Sequence, residues 1–122
     1  MKVVHTIKEL RTEVKTFMRQ GAVTGLVPTM GYLHQGHLSL VEASKAACDI
    51  TMASIFVNPM QFDNPNDLRN YPKDTDRDID LLEKAGADLV FIPTADEMYP
   101  LGEPLLKITM PRLTAQLCGK YR

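Results

Sequence analysis

The sequence predicts an α/β protein built on an open parallel sheet with flanking helices. Three near-continuous apolar runs, residues 25–27, 50–57 and 87–92, read as strands covered on both faces. Helix-periodic segments separate them, and right-handed βαβ connections make such strands parallel. Each run ends in a proline break, Val27-Pro28-Thr29, Val57-Asn58-Pro59 and Ile92-Pro93-Thr94, so the carboxyl ends of the strands fall on one edge of the sheet.

The elements follow in order. Residues 1–4 are long enough for a small edge strand. Thr6-Ile7-Lys8-Glu9 is a capping box and starts a helix whose apolar face carries Ile7, Leu10, Val14, Phe17 and Met18. Gly21 ends that helix, and His5, just before the cap, reads as solvated. Residues 22–27 form the first core strand. A turn leads to a helix running to about Cys48, and residues 49–57 form the second strand. Pro59 prevents its continuation. Residues 63–72, rich in Asn, Asp and Pro, read as loop with at most one helical turn. Residues 74–85 form a helix with Asp74, Asp76 and Asp78 at its positive end and Ile79, Leu81, Leu82 and Ala85 on its buried face. Gly86 closes it, and residues 87–92 form the third core strand. Residues 93–100 read as a short turn or helix, 105–110 as a further strand and 111–117 as the start of another helix.

The turn after the first core strand, Pro28-Thr29-Met30-Gly31-Tyr32-Leu33-His34-Gln35-Gly36-His37, is where chemistry concentrates. At the carboxyl end of a parallel strand it lies where ligands bind. A new helix start offers unpaired backbone N–H groups and a positive dipole end, both suited to phosphate. Gly31 and Gly36 allow a sharp bend or close approach of a ligand, and His34 and His37 share one spot at the helix start. A surface pair or half of a zinc site are the other readings of the two histidines. Zinc needs more ligands than these, and the chain has no Cys-x-x-Cys or His-Glu-x-x-His. The Asp74/Asp76/Asp78 spacing lacks the glycine and glutamate of a calcium loop. No metal site is predicted. The topology sets this turn beside Asn58-Pro59-Met60-Gln61-Phe62, leaving a cleft between the two loops.

With 122 residues, 44% of them hydrophobic, and a net charge of −1, the chain reads as one domain without the basic excess of a nucleic-acid binder. Its apolar runs are too short to span a bilayer and its amino terminus has no signal-peptide core. Cys48 and Cys118 stand alone and read as reduced thiols, which fits the cytoplasm.

Neither Gly-x-x-x-x-Gly-Lys-Ser/Thr nor Gly-x-Gly-x-x-Gly follows the first core strand. His34-Gln35-Gly36-His37 instead resembles the His-x-Gly-His signature of the nucleotidylyl transferase superfamily, which includes class I aminoacyl-tRNA synthetases. The longer stretches narrow this. Residues 27–38 resemble the nucleotide motif of the pantothenate synthetase (pantoate–β-alanine ligase) family, and Ser54-Ile55-Phe56-Val57-Asn58-Pro59-Met60-Gln61-Phe62 is similar to its second signature. Tyr71-Pro72 before an acidic helix, Ala87-Asp88-Leu89-Val90-Phe91, and residues 113–119 keep the family's order, so the resemblance covers essentially the whole chain.

The resemblance implies a partial Rossmann-like sheet and a two-step ligation. ATP with Mg²⁺ adenylates the carboxylate of (R)-pantoate, and β-alanine then attacks the adenylate to give pantothenate and AMP. No tightly bound cofactor is implied, and the family is usually a cytoplasmic homodimer. By motif, Met30, Gly31, Tyr32, Leu33, His34, Gln35, Gly36 and His37 contact ATP, His34 and His37 are the catalytic pair with His37 as proton donor, and Gln61, Met30 and Asn58 meet pantoate or β-alanine. Read alone, Asn58 either caps its turn or touches substrate, and Met30 either packs or lends its backbone. Family members are more than twice as long, with a Gly-x-Lys-Asp segment and a Lys-Met-Ser-like loop that this sequence lacks. Residues 1–122 are therefore expected to be the amino-terminal part of the nucleotide-binding domain, binding ATP weakly and ligating little alone. The alternative is a non-catalytic nucleotide-binding module that needs a partner chain.

Overall fold

The computed structural model describes residues 1–102. The strand read at 105–110, the helix at 111–117, the motif at 113–119 and Cys118 lie outside the described residues. Chain order is β1 (Lys2–Val4), α1 (Ile7–Arg19), β2 (Thr24–Thr29), α2 (Gln35–Ala47), β3 (Ile50–Ile55), a 3-10 turn (Pro59–Gln61), α3 (Pro65–Asn70), α4 (Thr75–Lys84), β4 (Leu89–Phe91) and α5 (Ala95–Met98). The sheet is four-stranded in the order β1-β4-β3-β2. All its pairings are parallel.

Two apolar layers cover the sheet. On one face Val27, Leu33, Val41, Ala53, Leu82 and Val90 bring α2 and α4 onto β2, β3 and β4. On the other, Val4, Met52, Leu89 and Phe91 pack under Ile7, Leu10, Val14 and Phe17 of α1. The Thr6/Glu9 capping box forms and sets the start of α1. Met18 does not join that face. It is 70% exposed, because α1 covers β1, β4 and β3 and leaves the end of its apolar stripe in solvent. His5 is exposed, yet its Nδ1 lies 2.9 Å from the carbonyl of Ile92 and ties the end of β1 to the end of β4.

Pro28 does not end β2. The strand runs through Thr29, with Pro28 in register with Ser54. Proline is tolerated because β2 is an edge strand with no partner beyond it among the described residues. Residues 65–70 form a full short helix rather than loop, started by Asn64, whose side chain accepts from the Asn66 N–H, and by Pro65 at the first helical position.

α2 is pressed close to β2 at Gly25, where an added Cβ collides with Ser44 Oγ. That hydroxyl lies 2.9 Å from Thr51 Oγ1 of β3. Gly25→Ala must displace the Ser44 hydroxyl from Thr51 and crowd Cys48 Sγ, and a loss of about 1–3 kcal/mol is the expected result in urea denaturation.

Candidate functional site

The carboxyl ends of β2, β3 and β4 meet at the turn joining β2 to α2. Two residues in succession take left-handed backbone there, Gly31 at φ 82° and Tyr32 at φ 52°. Glycine does so freely, but a tyrosine needs outside support. Asp78 of α4 supplies it. Its side chain is 1% exposed, and its two carboxylate oxygens accept from the Tyr32 and Leu33 N–H groups at 2.7 Å each. The neighbouring Arg77 donates to the Leu33 carbonyl at 3.2 Å and stands 5.7 Å from the centre of the Tyr32 ring. Asp78 is thus more than an acidic residue near a helix start. Sequence reasoning missed its role because the contact spans 46 positions, and only the burial of a carboxylate reveals it.

This grip changes what the turn offers. The Gly31 N–H donates to Thr29 Oγ1 at 3.1 Å, and those of Tyr32 and Leu33 go to Asp78. The Gly36 N–H donates to His34 Nδ1 at 3.1 Å, and the His34 N–H to His37 Nδ1 at 3.3 Å. The expected row of free backbone donors is therefore mostly occupied. Among the described residues the Met30 and Gln35 N–H groups of this stretch have no acceptor. Leu33 is 1% exposed, with both backbone polar groups engaged, so it shapes the turn from within the core. Gly36 sits in the first turn of α2 without unusual φ. A Cβ there meets His34 Cε1 at 2.9 Å, so this glycine makes room for the imidazole.

The histidine rings accept two of these backbone N–H groups. A backbone N–H only donates, so Nδ1 of each ring is an acceptor and the proton of each neutral imidazole sits on Nε2. The ring centres are 4.1 Å apart. Burial and the neighbouring His34 hold the His37 pKa below its ordinary 6.5, against an opposing pull from Asp78. Protonation of His37 also removes the acceptor for the His34 N–H. The stabilising contribution of neutral His37 is present above pH 6.5 and is lost as pH falls through its lower folded value. Denaturation measured from pH 7.5 to 5.5 should show stability falling, and His37→Asn should flatten that slope. Glu9, whose carboxylate is lowered by the Thr6 and His5 N–H groups, acts only below 4.5.

His37 lines a cleft of about 460 Å³ with Met30, Ser54, Phe56, Asn58 and Gln61. The turn and the 58–62 loop are therefore neighbours, as the topology predicts. Met30 and Gln61 also line an adjoining hollow of about 250 Å³, with Tyr71 at the seam. A further hollow of about 360 Å³, against the start of α4, contains neither histidine nor Gln61. Asn58 Oδ1 accepts from the Met60 N–H at 3.1 Å and caps the 3-10 turn. Among the described residues no three His, Cys, Asp or Glu side chains cluster as metal ligands, and no helix is long and apolar enough to cross a membrane.

Comparison with known proteins gives this arrangement a family. A model of the family described as pantoate-beta-alanine ligase matches residues 2–122. The chain is 49% identical over its whole length to a pantothenate synthetase of Acetivibrio thermocellus, of which it covers 43%. It is 58% identical over 102 residues, 84% of this chain, to one of Chloroflexus aggregans, of which those residues are 35%. The crystal structure of a pantoate-beta-alanine ligase from Francisella tularensis, complexed with beta-gamma ATP and beta-alanine, superposes with a TM-score of 0.93 at 38% identity, covering 100% of this chain and 46% of that one. The chain thus spans less than half the length of the relatives it matches. A family match over nearly every residue, on the same parallel sheet, settles the affiliation: the chain belongs to the pantoate–β-alanine ligase family.

Proposed function

We propose that residues 1–122 are the amino-terminal part of the nucleotide-binding domain of an ATP-dependent ligase joining (R)-pantoate and β-alanine into pantothenate. The observation that carries the reading is the pair of Nε2–H groups, exposed His34 beside His37, with His37 lining a cleft shared with Asn58 and Gln61.

MgATP is the co-substrate. The pantoate carboxylate attacks the α-phosphorus, the bond to pyrophosphate breaks, and an acyl adenylate forms. The amine of β-alanine then attacks its carbonyl carbon and AMP leaves. No protein nucleophile takes part, so this chain's share is positioning and charge stabilisation. His34 and His37 donate to oxygens on which negative charge grows. Exposed Gln35 and Tyr32 border the nucleotide, and Gly31 and Gly36 hold the turn and the His34 ring in place. Gln61 offers both a donor and an acceptor to pantoate's hydroxyls and to β-alanine, which fits its place between two hollows. Met30 packs at the same seam and lends its backbone.

The complete ligase works as a cytoplasmic homodimer on this reading. The test is residues 1–122 fused to the remaining part of the Acetivibrio thermocellus relative. Under turnover with pantoate and β-alanine, pantothenate, AMP and pyrophosphate should appear in equal amounts, pantoate without β-alanine should release at most one pyrophosphate per enzyme, and the 122-residue chain alone should ligate little or nothing. Formation of ADP, or pyrophosphate release indifferent to pantoate, contradicts the proposal. Sedimentation of the fusion checks the dimer.

A further inference from the structure

Tyr99 closes α5, a part of the chain to which no role has been given. Its hydroxyl donates to Asn58 Oδ1 at 2.9 Å across 41 positions. The same oxygen accepts from the Met60 N–H. Two donors thus converge on Oδ1, and because a backbone N–H cannot accept, the orientation of the Asn58 amide is fixed. Its Nδ2 group has no acceptor among the described residues, and Asn58 lines the cleft with Gln61 and His37.

Tyr99 is itself held firmly. Its N–H donates to the Ala95 carbonyl at 2.8 Å, and its carbonyl accepts from Gly102 at 3.0 Å. Its ring lies 6.3 Å from that of Phe56, another residue of the cleft wall. Glu97 on the same short helix accepts from the Ile7 N–H at 2.8 Å, which fastens α5 to the start of α1.

We propose that Tyr99 is a specificity-determining positioning residue: it locks Asn58 so that the cleft wall presents N–H donors, which select an oxygen acceptor of the acyl substrate. Without the hydroxyl only the Met60 N–H, at 3.1 Å, still holds Oδ1, so the amide keeps its preferred orientation but is less firmly placed against the cleft. The inference rests on the reading of this cleft as the pantoate site.

Tyr99→Phe removes the hydroxyl and keeps the ring. Pantoate and MgATP are titrated separately into the wild-type chain, Tyr99→Phe, Asn58→Ala and the double variant, followed by amide resonances that include the Asn58 side chain. Tyr99→Phe should move the Asn58 amide resonances and weaken pantoate roughly three- to tenfold, the worth of one hydrogen bond. MgATP affinity should change less than about twofold on the same scale. In the Asn58→Ala background the substitution should cost nothing further. Unchanged pantoate affinity, or an equal loss with and without Asn58, overturns the proposal and leaves the pantoate reading standing. Wild-type chain that binds MgATP but no pantoate overturns both this proposal and the pantoate assignment of the cleft. Failure to bind either ligand removes the nucleotide reading as well.

Discussion

Asp78→Ala should cost the chain about 2–5 kcal/mol of folding stability, because it strands two N–H groups that the carboxylate now accepts. Most natural domains hold only about 5–15 kcal/mol in total, so this loss is large. The argument is geometric. Asp78 is buried, both of its oxygens are used at 2.7 Å, and its carboxylate accepts the N–H of Tyr32, which sits at φ 52°. Asp78→Asn retains one acceptor but turns an NH₂ toward the other N–H, so it should fall between wild type and alanine. Urea denaturation followed by circular dichroism reads both. A loss below about 1 kcal/mol for the alanine variant, the worth of a single ordinary hydrogen bond, would show that the turn stands without the clamp.

His37→Ala should slow the fused ligase by about 10²–10³-fold in kcat, the usual cost of one donor to developing charge. The effect should fall on kcat more than on the pantoate KM, because growing charge on the phosphate oxygens exists only in the transition state. The fold should survive. The cap between the His34 N–H and His37 Nδ1 is long at 3.3 Å and contributes at most about 1 kcal/mol, as such caps do. His37→Gln, which keeps an N–H donor, should recover part of the rate. A decrease of less than about fivefold, roughly 1 kcal/mol, would move the catalytic burden elsewhere.

Much of this architecture was legible because it is written locally. Thr6 and Glu9, three residues apart, announce a capped helix, and Gly21 and Gly86 take the positive φ that ends α1 and α4. The proline breaks at the strand ends placed the histidine turn next to the Asn58 loop, and the structure puts both on one cleft. What was not legible depends on partners far along the chain. Pro28 reads as a terminator unless it is known that β2 lies at an edge. Met18 has the spacing of a core residue but lies beyond the strands that α1 covers. Free N–H groups are the general rule at a helix start, yet here Nδ1 atoms and Asp78 claim them. Of the two readings of Asn58 the structure shows the cap, since Oδ1 accepts from the Met60 N–H and from the Tyr99 hydroxyl far along the chain.

The central claim is that the His34/His37 turn holds nucleotide phosphate. It is tested most directly by titrating MgATP into the 122-residue chain and into the His34→Ala/His37→Ala variant, with the amide resonances of the turn as the readout. The account predicts saturable but weak binding by the wild-type chain, with a Kd on the order of 1 mM, and its loss in a variant that still unfolds cooperatively. Undiminished affinity in that variant, or no binding by a folded wild-type chain, contradicts it.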